Sequence, residues 1–169
     1  LELGVIAAPA SMWNEIRKLP PATWMRMALK TGVYTQGVHW TPSAPPFTRS
    51  YESAIEELRL LLDTSVRYRM IADVPVGCFL SGGVDSSIVS AIAHKQKAAH
   101  GDKLHTFSIG FDNPSYDESK YSLAAAEAIG TAHHYKTASV KDLTAVFLKL
   151  PQLYSEPFAD SSALPTYIC

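Results

Sequence analysis

The chain predicts an open α/β fold in three layers around a parallel sheet, and three observations carry that reading. Val74-Pro75-Val76-Gly77-Cys78-Phe79-Leu80 is apolar throughout instead of alternating, as expected of a strand covered on both faces. Beyond it, segments of helical period alternate with short strand-like segments as far as about residue 150, a β-α-β-α-β-α order. A glycine pair, Gly82-Gly83, stands where the first of these strands hands over to a helix, the place where open sheets collect ligands.

The elements follow in chain order. Proline clusters at 20–21 and 42–46 interrupt the opening stretch. Between them, the alternation of Trp24-Met25-Arg26-Met27-Ala28-Leu29 and Val33-Tyr34 around Gly32 reads as a short hairpin. From Ser50 to Met70 the period is helical, with Ala54, Ile55, Leu58, Leu61, Leu62 and Val66 on one face. Its acidic residues come early and Arg67 and Arg69 late, the order that suits the helix dipole.

Pro75 fits only near the start of the strand at Val74–Leu80. A helix is expected over about 86–98, a strand at Leu104–Phe111, a helix over about 117–129, a strand near His133–Thr137 and a helix over about 140–150. Ser115-x-x-Glu118 reads as a capping box for the second of these helices, with Gly130 as its stop, and Ser139 and Pro151 bracket the third. Asp160-Ser161-Ser162 forms a polar turn opening a final helix, divided evenly between a cap and a substrate or nucleotide contact.

Composition narrows the function. In 169 residues, 15 basic side chains meet 16 acidic ones, so no broad field of either sign exists to hold a nucleic acid. No apolar run reaches the roughly 20 residues that span a bilayer. The opening Leu1-Glu2-Leu3-Gly4 lacks a Met and a basic signal-peptide start, which reads as a soluble, cytoplasmic chain cut from something longer. Two cysteines, Cys78 and Cys169, make neither a disulfide framework nor a metal spacing and are read as reduced thiols. A metal, if used, should bind through oxygen.

The chemistry concentrates in Leu80-Ser81-Gly82-Gly83-Val84-Asp85-Ser86-Ser87. Glycines without Cβ let the backbone turn sharply and present its N–H groups to an anion, and the following helix adds its positive end. Ser81, Ser86 and Ser87 add three hydroxyls at the same turn. Asp85 beside phosphates would be repelled unless a divalent cation lay between them, and Mg²⁺ is the natural candidate. No lysine follows the glycines and no Gly-x-Gly-x-x-Gly is present, so this is neither a kinase-type loop nor a dinucleotide fingerprint. The alternative is a plain strand-to-helix turn with Asp85 or Ser86 as the cap.

Ser81-Gly82-Gly83-Val84-Asp85-Ser86-Ser87 resembles the pyrophosphate-binding loop of the N-type ATP pyrophosphatases (the PP-loop superfamily), and its setting resembles the glutamine-hydrolysing asparagine synthetases. Ile16-Arg17-Lys18-Leu19-Pro20-Pro21, Gly37-Val38-His39-Trp40, Thr106-Phe107-Ser108-Ile109-Gly110-Phe111, Gly130-Thr131-Ala132-His133-His134 and Glu156-Pro157-Phe158-Ala159-Asp160-Ser161-Ser162-Ala163-Leu164-Pro165-Thr166-Tyr167 are similar to that family in the same order. One departure is Tyr135, which stands where the family usually has an acidic residue.

The resemblance implies an adenine-nucleotide α-hydrolase-like, Rossmann-like fold, incomplete at its C-terminus, with residues 1–49 a connector following an absent glutaminase domain and 50–169 the first part of the synthetase domain. It implies that Leu80 and Ile109 meet adenine through backbone groups, that Ser81, Gly82, Gly83, Asp85, Ser86 and Ser87 hold the pyrophosphate of ATP, and that Asp85 binds Mg²⁺. No residue is assigned a covalent catalytic role.

The activity implied is ATP-dependent formation of asparagine from aspartate through an aspartyl-adenylate, with ammonia from glutamine. A related amidotransferase acting on a sugar acid or a β-lactam precursor, or a nucleotide-binding fragment without turnover, are the alternatives. The family's second acidic loop and a later lysine would lie beyond Cys169, so this chain alone is expected to be inactive. Its first strand should be central, with later strands on the far side. Alone, it would expose an apolar edge at Val74–Leu80 and should associate, as in a homodimer, be marginally stable, or be an ordered remnant of a larger protein.

Overall fold

The computed structural model describes residues 4–44, 46, 48–115 and 117–169, so Leu1, Glu2 and Leu3 of the opening and Pro45 of the second proline cluster lie outside the described residues. The chain divides into two compact units, one holding residues up to 48 together with 148–161, the other holding 49–147 and 162–169.

In the first unit, β1 (Thr23–Met27) and β2 (Tyr34–Val38) form the expected antiparallel hairpin, with Thr23 opposite Val38 and Met27 opposite Tyr34. The turn closes through the Gly32 amide donating to the Ala28 carbonyl at 2.8 Å. Elsewhere in this unit Lys18 forms an ion pair with Glu156, and the rings of Tyr154 and Phe158 meet at 4.9 Å.

The second unit carries the parallel sheet. Helix α1 (Tyr51–Arg69) starts at Ser50, whose hydroxyl accepts from the Ser53 amide at 3.2 Å, as a polar N-cap should. Strand β3 (Gly77–Phe79), helix α2 (Val84–Ala98), strand β4 (His105–Phe111), helix α3 (Ser119–Ile129) and strand β5 (Ala132–Ala138) follow, then α4 (Val140–Phe147). The short α5 (Leu150–Leu153) belongs to the first unit, and α6 (Ala163–Ile168) returns to the second. The sheet order is β3-β4-β5, all parallel, with Phe79 beside Phe107 and Phe107 beside His134.

The core of this unit sits between helices and sheet, where Val66 of α1, Ala93 of α2 and Leu104 ahead of β4 are buried with Met70, Cys78 and Ile92 against them. Leu58 and Leu61, on the predicted apolar face of α1, remain exposed, whereas Val66 on the same face is buried with Ala93 of α2. Gly130 ends α3 in the left-handed conformation, φ 86°, as expected of a glycine stop.

Four local expectations need correction. The strand at Val74–Leu80 shortens to three residues and is not covered on both faces, with Val74 70% and Phe79 63% exposed. The reason is its place at the sheet edge, where it has one neighbour and pairing stops with it. Ser115 caps nothing: α3 begins after Glu118, and the group serving its start is Asp117, whose carboxylate accepts from the Ser119 hydroxyl at 2.7 Å and from the Ser119 and Phe111 amides. Neither Asp85 nor Ser86 caps α2, whose N-cap is Gly83. Pro151 does not close the third helix, which ends at Phe147, but stands in the first turn of α5, where a missing N–H costs nothing. Ser139 does open α4, by a reciprocal pair: its hydroxyl accepts from the Asp142 amide, and Asp142 accepts from the Ser139 amide and hydroxyl.

Candidate functional site

The site lies at the carboxyl end of β3, where the edge strand turns into α2. The Leu80 amide donates to the Phe107 carbonyl at 2.8 Å, extending the β3–β4 pairing by one bond, and its side chain is 1% exposed. The chain then leaves the sheet. Gly82 turns it with φ 84°, and a Cβ there would stand 2.5 Å from the Ser122 amide nitrogen of α3. Gly82 is therefore demanded twice, by a positive φ and by the nearness of a neighbouring helix. Gly83 has an ordinary φ of −70°, and a Cβ there would meet only the Ser81 hydroxyl at 3.4 Å.

Hydroxyls tie the turn together. Ser81 Oγ and Ser86 Oγ are 2.9 Å apart, the Gly83 amide donates to Ser81 Oγ at 3.3 Å, and Ser86 Oγ donates to the Gly83 carbonyl at 3.2 Å. No side chain caps the N-terminus of α2, so its first-turn N–H groups keep their donor capacity for something else. Ser81, Gly83, Val84 and Asp85 are exposed, whereas Ser86 and Ser87 are half-buried on the inner side of the helix. The arrangement offers an anion several N–H and O–H donors and a helix dipole at once.

Asp85 stands in the first turn of α2 with its carboxylate exposed. Among the described residues no group of three or more His, Cys, Asp or Glu side chains is placed to hold a metal ion. A divalent cation at Asp85 would thus draw most of its oxygen ligands from a bound phosphate and from water, which suits Mg²⁺.

Beside the turn is a hollow of about 400 Å³, within the roughly 300–1,000 Å³ usual for small-molecule sites. Leu80, Ser81 and Ile109 line it, so the structure brings together three residues singled out in the sequence. Phe79, Phe107 and Phe111 supply much of its apolar wall. From the sequence these phenylalanines are placed on strands and not in the site. The signal was there: Phe107, Ile109 and Phe111 are two apart on one strand, so they share one face of the sheet. Pro165 and Thr166 of α6 close one side, so that the segment after Asp160-Ser161-Ser162 reaches the site.

The opposite face of β4 is unusual. Thr106 and Ser108 are buried under α3, although the alternation of His105-Thr106-Phe107-Ser108-Ile109 would place the hydroxyls in water. They are satisfied by His133, whose Nδ1 lies 2.9 Å from Thr106 Oγ1 and whose Nε2 lies 3.0 Å from Ser108 Oγ. His133 is half-buried and His134 exposed. Burial, reinforced by the neighbouring His134, pushes the His133 pKa below the usual imidazole value. His134 stacks on His105 and Phe107 with ring centroids 5.1 and 4.9 Å away.

Cys78, half-buried against the cluster of Val66, Ala93 and Leu104, has its thiol pushed up by burial, the opposite of an activated nucleophile. Among the described residues no helix is long and apolar enough to cross a membrane.

The chain is 36% identical, over 98% of its length, to a putative glutamine-hydrolysing asparagine synthetase 2 of Methanocaldococcus jannaschii, covering 32% of that protein. It is 28% identical, over 96% of its length, to glutamine-hydrolysing asparagine synthetase 1 of Bacillus subtilis, covering 25% of it. The chain thus spans a third or less of these relatives. Among solved structures, NMN synthetase of Francisella tularensis is similar over 63% of this chain and 41% of its own, with 22% identity and a TM-score of 0.36. The family model of asparagine synthase matches residues 57–169, which takes in β3, the glycine turn and every strand of the parallel sheet. The chain belongs to the asparagine synthase family.

Proposed function

We propose that this chain is the nucleotide-binding part of an enzyme that forms asparagine from aspartate at the expense of ATP. The observation that supports it is the join between the uncapped N-terminus of α2, with its Ser81–Ser86 hydroxyl pair, and the apolar hollow beside Leu80 and Ile109. One end of the site fits a polyphosphate and the other a flat heterocycle. ATP is the substrate with both.

In this reading the backbone at Leu80 and Ile109 meets the adenine, and the phenylalanines of β3 and β4 wall it from water. Ser81, Gly82, Gly83, Ser86 and Ser87 hold the β- and γ-phosphates by N–H and O–H donors. Asp85 would hold Mg²⁺, which would supply charge neutralisation at the phosphates when bound. An aspartate side-chain oxygen attacks the α-phosphorus, the bond from that phosphorus to the bridging oxygen breaks, and pyrophosphate leaves. The resulting aspartyl-adenylate reacts with ammonia at the acyl carbon, giving asparagine and AMP.

The chain's share of the catalysis is positioning and electrostatic stabilisation of the leaving group. Ammonia comes from glutamine, hydrolysed by a further domain of the whole protein, of which residues 1–49 form the connector and 50–169 the first part of the synthetase domain. The compartment is the cytoplasm, in keeping with the reduced cysteines. The deciding experiment is pyrophosphate release by a full-length parent given ATP, Mg²⁺, ammonia and a panel of carboxylates. Release dependent on aspartate supports the reading, and release dependent on another carboxylate alone refutes it.

A further inference from the structure

We propose that His133 is a positioning residue: as a neutral imidazole protonated at Nε2, it stands at the centre of a hydrogen-bond relay that fixes the first turns of α3 beneath Gly82. Five contacts make the relay. Thr131 Oγ1 lies 2.7 Å from Thr106 Oγ1, which lies 2.9 Å from His133 Nδ1. His133 Nε2 lies 3.0 Å from Ser108 Oγ, which lies 3.1 Å from Ser122 Oγ, and Ser122 Oγ donates to the Ser119 carbonyl at 2.9 Å.

The last contact sets the direction of the rest. A hydroxyl has one proton, and that of Ser122 is committed to a carbonyl, which can only accept. Ser108 must therefore donate to Ser122. Having spent its proton, Ser108 must accept from His133, so Nε2 carries a hydrogen in either charge state. With the ring neutral, Nδ1 accepts from Thr106, and Thr106 accepts from Thr131. Each hydroxyl then donates once, and the relay runs in one sense from Thr131, ahead of β5, through Thr106 of β4, His133 of β5 and Ser108 of β4 to α3.

Its far end matters for the glycine turn. The Ser122 amide, one residue along the backbone from Tyr121, is the surface against which Gly82 rests, with room for a hydrogen and none for a carbon. What holds Ser122 to β4 therefore holds the floor of the turn.

Protonation can occur only at Nδ1. It converts an acceptor into a donor, obliges Thr106 to turn its hydroxyl toward Thr131, and puts a charge in a half-buried position. Neither ring nitrogen has a carboxylate against it. The charged and titratable groups around it are His134 on its own strand, Tyr135 two residues on, Glu127 of α3 and Lys103 ahead of β4 lining the same shallow hollow, and His94 of α2 beside Gly130. Burial and His134 both favour the neutral ring.

The folded-state pKa lies below the unfolded one. The relay's contribution is thus fully present above about pH 6.5, the unfolded value for histidine, and declines as pH falls toward the folded value.

Long-range ¹H–¹⁵N spectra of the 169-residue chain without nucleotide test this directly. At pH 7.5 they should show His133 with Nε2 protonated and Nδ1 bare. Amide exchange at Tyr121 and Ser122, corrected for intrinsic rates, should report opening that increases from pH 7.5 to 5.5. In His133→Gln, whose amide donates to Ser108 but does not titrate, that pH dependence should vanish. In Ser108→Ala, opening at Ser122 should rise roughly tenfold at all pH values.

A bare Nε2, a charged ring at pH 7.5, or unchanged pH dependence in His133→Gln overturns the proposal. The tautomer is read on the unsubstituted chain, so a variant that fails to fold leaves the test intact. The link to nucleotide binding rests on the proposed function, but none of these readouts uses a nucleotide, so either idea can fail alone.

Discussion

Gly82 lies so close to Ser122 that a methyl group on it would overlap the Ser122 amide nitrogen, at 2.5 Å, whereas its neighbour Gly83 faces open space beyond the Ser81 hydroxyl. The two glycines of the turn therefore do different work. Gly82→Ala should destabilise the fold by roughly 3 kcal/mol, through backbone strain at positive φ and displacement of α3. Gly83→Ala should leave the denaturant midpoint nearly unchanged. Equilibrium unfolding of both variants checks the contrast, and equal losses would contradict it.

Gly83→Val carries the same logic into function. Its side chain has room in the free protein but would stand among the N–H groups at the start of α2. In a full-length parent it should fold and yet lose aspartate-dependent pyrophosphate release. Near-normal release at saturating ammonia would show that the turn does not touch the phosphates.

Asp85→Ala should lower the same rate by roughly 100-fold or more, the order expected when one electrostatic contact to a developing charge is removed. Stability should change by no more than about 0.5 kcal/mol, because the carboxylate is exposed and fills no core volume. Thermal melting beside the rate assay separates the two effects.

Ligand preference follows from which phosphates the turn can reach. Titrations of this chain, monitored at the amides of Gly82, Gly83 and Ser86, should rank pyrophosphate and ATP above AMP, with Mg²⁺ strengthening both. Millimolar affinity, about −4 kcal/mol, is the expected scale. Equal shifts with AMP, or indifference to Mg²⁺, would refute the assignment of these donors to a pyrophosphate.

Ser139→Ala removes one half of the reciprocal cap on α4 and should cost about 1 kcal/mol. The hydrogen bonds from Ser139 also hold the Asp142 carboxyl below its usual pKa. A depressed folded pKa means that the cap is at full strength above about pH 4 and weakens as acid protonates Asp142. Acid unfolding of Ser139→Ala should accordingly show a shallower fall over that range than the parent, measured by circular dichroism.

What could be read from the residues alone was local. The hairpin at β1 and β2, the long helix after Ser50 and the Gly130 stop each depend on neighbours within a few positions, and each stands where the sequence put it. The errors involve distant partners. Ser115 and Asp117 are both acceptable helix starters, and Asp117 prevails because its carboxylate also reaches the Phe111 amide at the end of β4. The brevity of β3 reflects its single neighbour, which no pattern within Val74–Leu80 reveals. Thr106 and Ser108 break the rule that alternating hydroxyls face water, because a histidine on the next strand satisfies them. Around the glycine turn, Leu80 and Ile109 were singled out through the family resemblance, whereas Phe107 and Phe111 come to line the same hollow through strand geometry.

Val84, the variable member of the Ser-Gly-Gly-x-Asp-Ser-Ser run, is 75% exposed at the head of α2. In the proposed function the main-chain groups on either side of it meet the phosphates, and its own side chain is a bystander. A saturation library across 80–87 should therefore read out unevenly, with position 84 accepting nearly any non-proline residue while position 82 accepts none but glycine.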